Sequence, residues 1–153
     1  MTPSRIRATI IADRASWVRR MLEGLRSLPG ESEVSFHSDP RTVAAAESYL
    51  RRGLEALLDL GRHIAAKGFG RAVVEYKDIP ITLQEIGILT EREAGLLRDM
   101  AGYRNRLVHF YSEVTPQEIF HIRSSRLTDI EDVLSALLCW LQAHPELMDQ
   151  SQG

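Results

Sequence analysis

Cysteine is nearly absent from this chain. Cys139 stands alone, so neither an internal disulfide nor a thiolate metal cluster can be built. Within "LSALLCWLQ" it reads as a small core residue. Long apolar runs are also missing, with nothing near the roughly 20 residues that cross a bilayer. The opening "MTPSRIRATIIADRASW" has too short an apolar part, and too much charge beyond it, for a secretory signal. A cytoplasmic protein without membrane association is expected. There is no glycine-rich phosphate loop, so ATP binding by this chain is not expected. No two histidines or carboxylates show a persuasive metal spacing, so neither a metal nor a cofactor is expected. Charge of one sign is lacking too. The net charge of −2 argues against coating nucleic acid by bulk charge and leaves room only for a local basic site.

What is present points to helices. The chain has 153 residues, 44% hydrophobic and 26% charged, which suits one globular domain spanning 1–153. A first helix is expected from Ile6 to Leu25, its apolar face interrupted by Asp13 and several arginines. "LPGESE" stops it, and a polar loop follows through His37. In "SDPRTVAAAESYLRRGLEALLDLGRHIAAKG", Asp39 is the N-cap and Pro40 the first helical residue. Val43, Ala46, Leu50, Leu54, Leu57, Leu58, Gly61 and Ile64 recur at helical spacing. Residues 68–89 read as a loop holding at most one short helix, with Pro80 limiting regular structure. "RAVVEY" (71–76) suits an extended strand but has no partner. Thr90 caps a fourth helix, with Glu93 closing a capping box. Thr115 and Pro116 restart a short helix to about His121. The last helix runs from Leu127 to His144 on a continuous leucine-rich stripe. The fold class is all-α, a bundle of four to six helices.

The chemistry concentrates in "RNRLVHFY", residues 104–111. Arginine presents a planar, permanently charged fork to phosphate. Histidine gives and takes protons near neutrality. Together they suit metal-independent cleavage of RNA. A base deprotonates the 2′-hydroxyl, that oxygen attacks the adjacent phosphate, and arginine stabilises the charge that develops. A 2′,3′-cyclic phosphate and a 5′-hydroxyl result. At about 100° per residue, Arg104 and His109 stand about 140° apart on a straight helix. Either the helix ends or kinks near His109, or two copies pool their residues across a two-fold axis. The plain alternative is that these polar groups only complement the helix end. Elsewhere, His63 reads as a hydrogen-bonded structural residue. His37, His121 and His144 read as surface. Glu55 and Asp59 read as helix-face ion pairs with Arg52 and Arg62, and lining a cleft is their minority role.

Arg104, His109 and Tyr111 match the R-x-x-x-x-H-x-Y motif, and the chain resembles the HepT-like proteins of the HEPN superfamily. Asn105 fits the polar residue that usually follows the arginine. "DPRTVAAAESYLRRGLEALLDLGRHI" looks like the family's long second helix and "RNRLVHFYSEVTPQEIF" like its motif and turn. The resemblance covers most of residues 5–144. It implies a homodimer whose two motifs face each other, and a ribonuclease toxin acting on RNA, tRNA included. Arg104 and His109 would be catalytic, with Asn105 and Arg106 supporting or binding substrate. It also implies an MntA-like nucleotidyltransferase antitoxin that silences the toxin by AMPylation of Tyr111. Arg106 is an extra cation within the motif. The segment before Asp39 is longer than in minimal members, which suits a helix packing on the dimer or the partner. Some HEPN domains only bind. The alternative is therefore a non-catalytic adaptor that docks a nucleotidyltransferase partner or a nucleotide.

Overall fold

The computed structural model describes residues 5–109 and 114–149. Seven α-helices follow one another: α1 Ala8–Ser27, α2 Glu33–His37, α3 Pro40–Phe69, α4 Ile79–Ile86, α5 Glu91–His109, α6 Pro116–Ser125 and α7 Leu127–Gln142. That is one more than the upper count expected, and the addition is the five-residue α2. Ser32 caps it, accepting from the Ser35 N–H at 3.0 Å, and Phe36 is fully buried in the core. An element of barely more than one turn leaves no periodicity to read.

The long α3 begins where its sequence says it should and runs to Phe69, past Lys67 and Gly68 where the sequence suggests a stop. The Asp39 side chain accepts from the Arg41 N–H at 2.9 Å, and Gly70 closes the helix in the left-handed conformation, φ 66°. α1 packs along α3 through Ile11, Ala15, Val18, Met21, Leu22 and Leu25. Its apolar face is not interrupted as expected, because Asp13 lies on the solvent side with its side chain 72% exposed. α1 therefore spends this face within its own chain. One hydrophobic cluster, from Ile6 to Leu141, draws on all seven helices.

Pro80 does not hinder regular structure. A 3-10 turn at Tyr76–Asp78 leads into α4, with the proline in the first helical turn, where its missing N–H costs nothing. "RAVVEY" is not a strand; it is coil up to that turn. Among the described residues the one β pairing is a parallel bridge between Ile6 and Met148, with Ile6 N–H donating to Leu147 at 2.9 Å. On α7 the buried stripe is Leu127, Ile130, Val133, Leu134, Leu137 and Leu141. Cys139 is exposed rather than in the core. Two residues beyond Leu137, it is turned about 200° from the stripe. No helix among the described residues is long and apolar enough to cross a membrane.

Candidate functional site

α5 starts at the capping box foreseen from sequence: the Thr90 N–H donates to Glu93 at 2.9 Å, and the Glu93 N–H to the Thr90 hydroxyl at 3.1 Å. Ala94, Leu97, Met100 and Ala101 bury its inner face. The helix is thereby fixed in rotation, and its last turns carry Arg104, Asn105, Arg106 and His109.

Arg104 turns inward and keeps only 21% of its side chain exposed. Its Nε donates to Glu55 Oε1 on α3 at 3.3 Å, and one η-nitrogen donates to Asn105 Oδ1 at 3.2 Å. Its guanidinium also sits 4.5 Å from the centre of the Tyr76 ring, a cation–π contact. Glu55 holds Arg51 as well, at 3.1 Å. The partner on its own helix is thus Arg51 rather than Arg52, so Glu55 forms the expected helix-face ion pair and, in addition, a cross-helix pair with Arg104 behind the cleft wall.

Tyr76 organises the other wall. Its hydroxyl donates to Asp59 Oδ1 at 2.8 Å. Burial, then the hydrogen bond and charge of Asp59, push its pKa up to about 12, so it stays a protonated donor throughout the working range. Arg62 also lies 4.5 Å from the Tyr76 ring centre. One of its η-nitrogens donates to Asp59 at 3.4 Å and the other to the Val74 carbonyl at 2.8 Å.

These groups enclose a cleft of about 500 Å³ lined by Arg62, Val74, Glu75, Tyr76, Arg104, Asn105 and His109. Three of the five site residues expected from sequence therefore meet at one place. His109 is the last described residue of α5 and is exposed, and it lines the same cleft as Arg104. Arg106 does not line this cleft; both its η-nitrogens clasp the two Glu118 oxygens of α6 at 2.8 Å. Tyr111 lies outside the described residues. Tyr76 and Arg62 were not foreseen as site residues. Their signal, an aromatic and a cation 14 positions apart, acquires meaning only when the 70–78 segment folds back over α3. A groove of about 580 Å³ between α1 and α7 is larger, but its lining is mostly apolar with Arg19 as its charged member. It offers no comparable chemistry.

His63 behaves as expected of a structural residue, its Nε2 accepting from the Arg7 N–H at 3.0 Å. His37 is half-buried rather than superficial, packed near Phe36 and Phe120. His144 stacks on Trp140 at 3.9 Å.

Residues 18–137 match the family model described as Ribonuclease HepT-like. A protein named tRNA nuclease HepT, from Aphanizomenon flos-aquae, is 28% identical over 118 residues, covering 76% of this chain and 80% of the relative. One named mRNA nuclease HepT, from Shewanella oneidensis, is 23% identical over 128 residues, covering 84% and 96%. Among solved structures, a tri-AMPylated Shewanella oneidensis HEPN toxin in complex with MNT antitoxin superposes with a TM-score of 0.77. It is 22% identical and covers 85% of this chain and 97% of its own, a likeness of fold.

Proposed function

This chain belongs to the HepT-like ribonuclease family, and from that premise we propose that it is the toxin of a toxin–antitoxin pair, a metal-independent endoribonuclease. The observation that carries the proposal is the cleft that gathers Arg104, Asn105 and His109. Arg104 is aimed by Glu55 and Tyr76, so it meets a backbone phosphate with little reorganisation, which is where electrostatic catalysis gains most. His109 supplies the proton chemistry. The 2′-hydroxyl loses its proton to an imidazole, the 2′-oxygen bonds to phosphorus, and the P–O5′ bond breaks. The departing 5′-oxygen takes a proton, leaving a 2′,3′-cyclic phosphate and a 5′-hydroxyl. One imidazole cannot be base and acid in the same step. A homodimer with two clefts facing across a two-fold axis supplies a second His109, which makes the site composite. RNA is the substrate class. The two relatives are named for different RNAs, so the class is not narrowed further.

The proposed control is a MntA-like nucleotidyltransferase partner, the kind of antitoxin found in complex with the structural neighbour. The Tyr111 phenol oxygen attacks the α-phosphate of ATP held by that partner, and pyrophosphate leaves. An adenylate on Tyr111, two residues beyond His109 in sequence, adds an anion and a base to the motif, and its phosphate would compete with RNA for Arg104.

The test is expression alone and beside the partner, followed by growth measurement, intact mass, and cleavage of RNA in the presence of a chelator. Toxicity and cleavage that vanish in folded Arg104→Ala and His109→Ala, and an added AMP mass on Tyr111 with the partner, are the expected results. A folded His109→Ala protein cleaving at the wild-type rate would overturn the mechanism.

A further inference from the structure

The cleft holds a second arginine that the motif does not include. We propose that Arg62 binds a backbone phosphate of single-stranded RNA next to the one at Arg104, and that Tyr76 is the positioning residue that sets their spacing. The inference rests on the RNA-cleaving reading of the same cleft.

Four observations converge on it. Arg62 comes from α3 and Arg104 from α5, yet both line the one cleft. Each guanidinium lies 4.5 Å from the centre of the Tyr76 ring, so their central carbons are at most twice that distance apart, the scale of successive phosphates along an extended strand. The ring itself is immobilised by its hydroxyl bond to Asp59 at 2.8 Å. Arg62 is held at the same carboxylate and at the Val74 carbonyl. That uses one N–H on each η-nitrogen and leaves another on each, because guanidinium carries two there. An arginine oriented from both ends in this way loses little freedom when a phosphate arrives. Glu75, which also lines the cleft, is 61% exposed and pairs with Lys77 at 3.3 Å, so its charge is partly offset. Recognition by two aimed forks also reconciles a phosphate-binding site with a chain whose net charge is −2. The affinity comes from directed contacts and not from a broad positive field.

A structural arginine and a phosphate-binding one are separated by salt dependence. Each phosphate contact on a single strand contributes about 0.7 to the slope of log affinity against log salt concentration. The full chain is titrated with a fluorescent 2′-O-methyl RNA, which binds but lacks the attacking hydroxyl. Folded Arg62→Gln is expected to weaken binding and flatten that slope by about 0.7, and to raise KM for cleavable RNA with kcat little changed. Arg62→Lys is expected to keep the slope. An unchanged slope in folded Arg62→Gln overturns the proposal. Should that variant not fold, the Arg62 Nε–H resonance of the wild-type chain decides: a shift on adding the 2′-O-methyl RNA supports it, and no shift at saturation overturns it. Cleavage that depends on His109 together with an unchanged slope removes this inference alone. A flattened slope in a chain that cleaves nothing removes the nuclease reading and leaves Arg62 as a phosphate contact.

Discussion

Replacing Glu55 by glutamine should separate aiming from binding at the cleft. The side chain keeps its shape and an oxygen that accepts from Arg104 Nε, but loses its charge. The pair is at 3.3 Å, with 21% of Arg104 and 25% of Glu55 exposed. Coulomb attraction for such a pair is about 4 kcal/mol at an effective dielectric of 20. Desolvation takes back much of that, and a charge-assisted hydrogen bond keeps a net value of about 1.5–3 kcal/mol. Because Glu55 Oε1 is shared with Arg51 at 3.1 Å, the lower end, about 1.5 kcal/mol, is the appropriate figure. If that energy holds Arg104 in its productive direction, losing it costs about tenfold in kcat. The same change frees Arg104 from a competing anion, so phosphate binds at least as well and KM holds or falls. Single-turnover cleavage across a range of RNA concentrations reads both constants, with denaturant unfolding as the check on folding. A wild-type kcat in folded Glu55→Gln would refute the claim that α3 aims the motif arginine. A rise in KM with kcat unchanged would refute it too, because that pattern belongs to lost binding.

Three further outcomes follow from the packing. Burial, then Lys67, Arg7 and Arg14, hold His63 below its ordinary 6.5, so the unfolded chain binds more protons there. The resulting stability is full above about 6.5 and is lost as pH falls toward the folded value. His63→Gln, which still accepts from Arg7, should show a shallower fall in denaturation midpoint between pH 7 and 5. Gly61→Ala puts a methyl group 2.9 Å from Leu83 Cδ1 and 3.1 Å from Ile79 Cγ2, both side chains fully buried; overpacking should outweigh the helix-propensity gain by about 1 kcal/mol, read as a lower Tm. A double-mutant cycle on Arg106→Gln and Glu118→Gln should return a coupling of about 1 kcal/mol from denaturant unfolding, and a value near zero would show that the clasp between α5 and α6 contributes nothing.

Features set by neighbours in the chain were legible in the sequence; features set by a distant segment were not. Asp39, Pro40, Thr90 and Glu93 act on backbone groups within three residues, so α3 and α5 begin where those residues predict. The α7 stripe is legible because a 16-residue helix repeats its pattern more than once. Pro80 was misread because one residue type both ends helices and begins them, and the Tyr76–Asp78 turn before it decides which. Cys139 was misread because composition was weighed before phase. At the cleft the motif named Arg104, Asn105 and His109, but not what holds them. Glu55 and Arg104 are 49 residues apart, and Tyr76 and Asp59 are 17 apart. No local pattern encodes such pairs.

The division between an inward arginine and an outward histidine bears on how the proposed dimer would work. Arg104 is pinned against α3 and Tyr76, while His109, in the last described turn of α5, stands exposed. If Arg104 of one chain works with His109 of the other, and water can replace the second imidazole at reduced rate, two dead variants should partly rescue each other. Mixed dimers of Arg104→Ala with His109→Ala contain one intact arginine and one intact histidine on different chains. Random exchange places about half the chains in such dimers, so cleavage should return to a measurable level below about half of wild type. Native mass measurement establishes that mixed dimers formed. If they form and cleave nothing, either each cleft uses its own Arg104 and His109 or both imidazoles are required, and mixed dimers of wild type with His109→Ala, which cleave in the first case and not in the second, separate the two.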